Sequence, residues 1–79
     1  MIGLTARQRQ LLDFIDGYII VMGYPPTFRD MRDHMKIRST NGINDHLRCL
    51  ERKGYIVRTD NRARAIRIVQ REQQPATTP

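Results

Sequence analysis

The chain contains no tryptophan, one cysteine, one serine and only two lysines. Cys49 standing alone excludes an internal disulfide framework and fits a reducing cytoplasm. Ser39 is the only seryl hydroxyl, and neither His34 nor His46 is spaced from it as a nucleophile's base would be. His34, His46 and Cys49 repeat no four-ligand zinc spacing, so no metal and no cofactor are expected. Long hydrophobic runs are also missing: none approaches the roughly 20 residues that span a bilayer. The opening Met1-Ile2-Gly3-Leu4-Thr5 lacks the charged head and apolar stretch of a secretory signal. Seventy-nine residues leave little room for a deep substrate pocket. Catalytic residues are therefore expected to be none, and an enzyme, a small-molecule binder and a membrane protein are all disfavoured.

What is abundant is arginine. Fourteen basic residues face eight acidic ones, for a net charge of +6, and the isoelectric point is near 10.5. Twelve of the fourteen are arginine, the side chain suited to bidentate contact with phosphate or guanine. Such a balance favours an anionic polymer or surface as partner, although positive charge can also serve solubility alone. Hydrophobic residues at 39% and charged residues at 28% are ordinary for one folded domain.

Hydrophobic spacing divides the chain into three helices and a hairpin. Thr5 and Gln8 form a capping-box pattern, and Leu11, Leu12, Ile15, Ile19 and Met22 follow at helical spacing with Phe14 and Tyr18 on the flank. This predicts a helix from Ala6 to Met22, stopped by Gly23-Tyr24-Pro25-Pro26. Ile20 falls opposite the stripe as a single exposed aliphatic, and Met22, Met31 and Met35 read as core fillers. Thr27 caps a short second helix, Phe28 to Met35, with Asp30 in its first turn. After Lys36-Ile37-Arg38, Ser39 caps a third helix over 40–53 that ends at Gly54. Two helices joined so tightly suggest a helix-turn-helix. The period then changes to two: Tyr55–Arg58 and Ala65–Val69 read as strands joined by a turn at Asp60-Asn61. The fold class expected is α+β, a small winged helix-turn-helix with a two-stranded antiparallel hairpin as wing. Residues 1–69 form the domain. Residues 70–79 are polar and proline-containing, and are expected to be a disordered tail or the start of an interdomain linker.

On a wheel of 100° per residue, Ile43, Leu47 and Leu50 point to the core, while Asn41, Asn44, Asp45, Arg48 and Arg52 occupy an opposite arc of about 100°. An ordinary wet face carries mainly lysine, glutamate and glutamine. Here asparagine suits adenine, aspartate can accept from cytosine N4, and arginine reads guanine or grips phosphate. Arg58, Arg62, Arg64, Arg67 and Arg71 crowd the hairpin region, opposed only by Asp60. Edge protection accounts for one or two such charges, whereas five of one sign suit phosphates or a minor groove. His46 is expected to be a packed or hydrogen-bonded side chain.

Several motifs resemble the N-terminal DNA-binding domain of the LexA repressors. Leu4-Thr5-Ala6-Arg7-Gln8 is similar to that family's opening and Gly23-Tyr24-Pro25-Pro26-Thr27 to its first turn. Arg38-Ser39, His46-Leu47, Leu50 and Arg52-Lys53-Gly54-Tyr55-Ile56 resemble its recognition segment, and Arg64-Ala65-Ile66-Arg67 its wing. The resemblance covers residues 4–69. It implies repression of DNA-damage (SOS) genes through palindromic operators. It places Ser39, Asn41, Asn44 and Asp45 at base-reading positions, to which Arg48 is added from the wheel. Thr40 and Gly42 lie beside the base-reading positions, while Arg7, Lys53 and Arg64 would approach the phosphate backbone. Thr40, Arg52 and Arg62 are added as backbone contacts from their place on the helix start, the polar face and the hairpin. Three departures stand out. Lys36 replaces a glycine usual at the exit of the second helix, which implies a different cap there. Asn44 and Asp45 stand where acids are often paired. The second family domain, with its Ser–Lys dyad and most of the dimerisation surface, is absent, and the chain has no Ala-Gly bond to cut. Two alternatives follow: a domain ending at a linker near Gln70, or a natural single-domain relative.

The partner expected is therefore a double-stranded DNA operator, with no membrane and no small-molecule substrate, in the cytoplasm of a bacterium or on a bacterial or phage nucleoid. The rival is a winged-helix protein-interaction module, disfavoured because the polar face carries no aromatic anchor. No apolar stripe is left for a dimer interface, so the free chain is expected to be a monomer that pairs on a palindromic operator.

Overall fold

A computed structural model describes residues 3–59 and 65–69. The first helix, α1 (Ala6–Met22), starts in a complete capping box. The Thr5 hydroxyl accepts from the Gln8 amide and the Gln8 carboxamide oxygen accepts from the Thr5 amide, each at 3.1 Å. The second, α2 (Phe28–Met35), repeats the device with Thr27 and Asp30, again at 3.1 Å in both directions. A reciprocal box satisfies two backbone amides at once, one more than the single cap read from the sequence. The hydrogen bonds from Thr27, and more weakly those of Tyr18 and the charge of Arg29, hold the Asp30 carboxyl below its ordinary value. The third helix, α3 (Thr40–Arg52), is capped by Ser39, whose Oγ accepts from the Gly42 amide at 3.0 Å.

The helix exits are left-handed where the chain must reverse. Gly23 (φ 86°) ends α1, and its amide donates to the Ile19 carbonyl at 2.8 Å. Lys36 ends α2 at φ 58°, the one non-glycine residue with positive φ among those described. The different cap expected at this exit is thus not found: the lysine takes the left-handed turn itself. Such a turn costs a residue with a Cβ ~1–2 kcal/mol. Part of that gain is offset in glycine by its freer unfolded chain. Lys36→Gly should therefore stabilise the domain by about 1 kcal/mol, seen as a melting temperature higher by about 4–8 °C. An unchanged or lower melting temperature would show that the lysine side chain compensates the strain.

Strands β1 (Ile56–Arg58) and β2 (Ile66–Ile68) form a two-stranded antiparallel sheet. The register pairs Ile56 with Ile68, Val57 with Arg67 and Arg58 with Ile66. Each is shorter than the sequence suggested, although the Val69 amide still donates to the Tyr55 carbonyl at 2.9 Å. The turn at Asp60-Asn61, Arg62 and Arg64, and the tail 70–79 lie outside the described residues. Three helices followed by this sheet make the α+β winged-helix arrangement that the periodicities predict.

One core joins all five elements. Leu11, Leu12 and Ile15 from α1 meet Met31 and Met35 from α2 and Ile43, Leu47 and Leu50 from α3, with Tyr55, Ile56 and Ile66 closing the floor. Phe14 stacks on His34 with ring centroids 4.1 Å apart, fastening α1 to α2. Met22, expected as a core filler, is instead 48% exposed. Ile20 is not a lone exposed aliphatic either, since Val21, Met22 and Tyr24 are exposed with it. The helical period continues to the end of α1, but its last turn projects past the neighbours that would cover it. Among the described residues no helix is long and apolar enough to cross a membrane.

Candidate nucleic-acid interface

Helix α3 is sharply two-sided. Ile43, Leu47 and Leu50 are wholly buried. Asn41, Asp45, Arg48 and Arg52 are exposed on the far side, together with Ser39 and Thr40 at the helix start. Asn44 is half-buried at the edge of this face. Arg48 Nη1 lies 3.7 Å from Asp45 Oδ1, with the two side chains 71% and 74% exposed. A surface pair of this kind is worth ~0.2–1 kcal/mol and opens readily to a competing partner. Arg52 Nη2 donates to Cys49 Sγ at 3.6 Å, which leaves most of the guanidinium free to the solvent side.

Two predicted phosphate-contacting residues carry structural loads as well. Arg7 Nη2 donates to the Met35 carbonyl at 2.8 Å, at the C-terminal end of α2 where a cation is favoured. Its Nη1 donates to Gln10 Oε1 at 3.2 Å. Lys53 Nζ donates to the Gly3 carbonyl at 2.9 Å and to Gln8 Oε1 at 2.8 Å, tying the end of α3 to the start of the chain. Gln8 is accordingly the one buried polar residue among those described.

Two features of this surface escaped the sequence reading. The first is a hollow of about 520 Å³ beside α2, lined by Arg29, Arg32, Asp33, Lys36, Ile37 and Arg38. Four cations there face one carboxylate. Arg32 Nη1 donates to the Arg38 carbonyl at 3.1 Å, while its buried Nε has no hydrogen-bond partner among the described residues. The hollow runs up to Arg38, the residue before the Ser39 cap, so positive charge borders the start of α3. Its signal was present in the spacing of Arg29, Arg32 and Lys36, which share the side of α2 away from Met31 and Met35. The second is Arg58. Read as one of the hairpin cations, it is half-buried, and its Nη2 donates to Asn44 Oδ1 at 3.2 Å. Arg67, by contrast, is exposed and lines a different hollow with Ile19, Tyr24 and Pro25 against the end of α1. The two described hairpin arginines therefore face different parts of the molecule.

The sequence model of the LexA DNA binding domain matches residues 1–65. The chain is 60% identical over 67 residues to a LexA repressor of Sorangium cellulosum, covering 85% of this chain and 29% of that protein. It is 52% identical over 63 residues to one of Myxococcus xanthus, covering 80% and 28% of the two chains. With a LexA repressor of Geobacter metallireducens it shares 45% over 76 residues, 96% of this chain and 38% of the relative. The chain thus spans about a third of the length of these relatives. A polar, arginine-bearing helix face on a winged-helix core and a match across most of the chain lead to one assignment. The chain belongs to the LexA DNA-binding domain family, a family of DNA-binding and not catalytic domains.

Proposed function

We propose that the chain is the operator-binding domain of a LexA-type repressor acting on SOS-type operators in a bacterial or phage nucleoid. In this reading α3 enters the major groove. Ser39, Asn41, Asn44, Asp45 and Arg48 meet base edges. Arg7, Thr40, Arg52 and Lys53 approach the backbone, with Arg62 and Arg64 of the wing on the backbone or in the minor groove. The observation that carries it is the outer face of α3, where Asn41, Asp45, Arg48 and Arg52 stand exposed opposite a fully buried apolar stripe. The cationic hollow of Arg29, Arg32, Lys36 and Arg38 extends the positive surface to the start of that helix, and supports a further backbone contact there.

The free chain is a monomer in this proposal, and two copies pair on an operator with two-fold symmetry. Selection of bound duplexes from a random pool should return two copies of one half-site in inverted orientation at a fixed spacing. Sedimentation of the free protein at micromolar concentration should give a single monomeric species. Enrichment of no sequence would overturn the repressor reading. A dimer without DNA would instead point to the exposed Ile20, Val21, Met22 and Tyr24 as its contact.

A further inference from the structure

The geometry points to Arg58 as a positioning residue that decides which base Asn44 accepts. By holding the Asn44 carbonyl oxygen, it presents only the amide NH2 to DNA, so that Asn44 reads purine N7 and scarcely separates adenine from guanine. This rests on the reading of α3 as the base-contacting helix.

The orientation of the Asn44 carboxamide follows from chemistry. A guanidinium has donors and no acceptor, so the group that faces Arg58 Nη2 at 3.2 Å must be the oxygen. The contact is half-buried, and Arg58 is itself held in β1 opposite Ile66, with its Nε buried. The restraint on Asn44 therefore comes from the sheet below α3 and not from α3 itself.

An unrestrained asparagine prefers adenine because both ends of its amide are used. The oxygen accepts from the N6 amino group while the NH2 donates to N7. Guanine is rejected because its O6, an acceptor, confronts the amide oxygen. Once the oxygen is turned toward a charged donor, both the attraction to N6 and the repulsion from O6 are reduced. What remains is a donor facing N7, which both purines offer. Asn41 provides the internal contrast: it is exposed, its side chain has no hydrogen-bond partner among the described residues, and it keeps both ends of its amide. The two asparagines of α3 thus read by different rules.

The test begins with Asn44→Ala, which identifies the base pair whose preference depends on this residue. At that pair the unaltered protein should favour purine over pyrimidine yet bind adenine and guanine duplexes within about threefold. Arg58→Met, which removes the donor and keeps an apolar stem, should convert this to an adenine preference of about tenfold. Arg58→Lys, which restores one donor, should return the near-equal ratio. A measurement on the unaltered protein guards against a variant that fails to fold. Replacing the purine by its 7-deaza analogue should weaken binding about fivefold, whereas removing the adenine amino group should change it by less than about twofold. An adenine preference of tenfold in the unaltered protein, or the same ratio in Arg58→Met, overturns the role of Arg58. If Asn44→Ala alters no base preference, the base-reading role of Asn44 itself is what fails.

Discussion

Duplex binding is expected to weaken by roughly 500-fold when salt rises from 50 to 200 mM. About five phosphates neutralised by Arg7, Lys53, the wing arginines and the cleft beside α2 imply a slope of log affinity against log salt near −4 to −5. A fourfold rise in salt then multiplies the dissociation constant by about 250 to 1,000, the fourth to fifth power of four. The contribution of the cleft can be isolated, because Lys36→Gly should flatten the slope by about one unit while raising the melting temperature. Loss of affinity and gain of stability in one variant cannot both come from general misfolding. Arg64→Ala should likewise flatten the slope by about one unit and weaken all sequences alike. Titrations of one duplex at four or five salt concentrations decide the matter, and a slope near zero would remove phosphate contact as the main source of affinity.

The second large effect is expected at Asn41. Asn41→Ala should cost about 1–3 kcal/mol on the preferred operator, or roughly 5–150-fold in affinity, and much less on random DNA. The residue lies one position after the first residue of α3, is exposed, and takes no part in the Ser39 cap, whose acceptor is engaged by Gly42. Its truncation should therefore leave the fold intact, which an unchanged melting curve verifies. The ratio of specific to non-specific affinity is the informative quantity, because backbone contacts raise both terms together. Equal losses on operator and random duplexes would make Asn41 a backbone contact and refute its base-reading role.

The limits of α1 and α2 and the start of α3 were legible in the sequence residue by residue, because their determinants act over three or four positions. Thr5 with Gln8, Thr27 with Asp30, and Ser39 before Gly42 each place a side-chain oxygen at the one distance where a free helical amide needs it. The buried stripes followed from the helical period, and Gly54, at φ 86°, from the need for a left-handed residue before the sheet. The outer face of α3 was legible for the same reason, as the complement of its buried stripe.

Only the tertiary structure could decide which polar side chains are free to meet a partner. Arg7 reaches Met35 across 28 positions, Lys53 reaches Gln8 across 45, and Arg58 reaches Asn44 across 14. No local rule links residues so far apart. Charge and spacing mark all three as cations, whereas packing also makes the first two ties between helix ends and turns the third toward Asn44 of α3. The same applies to Met22, which keeps the helical phase of the core but lies where the surrounding elements have ended. Periodicity tells a side chain which way to point. Whether anything stands there to cover it, or to compete for its hydrogen bonds, depends on where the other helices and the sheet come to rest.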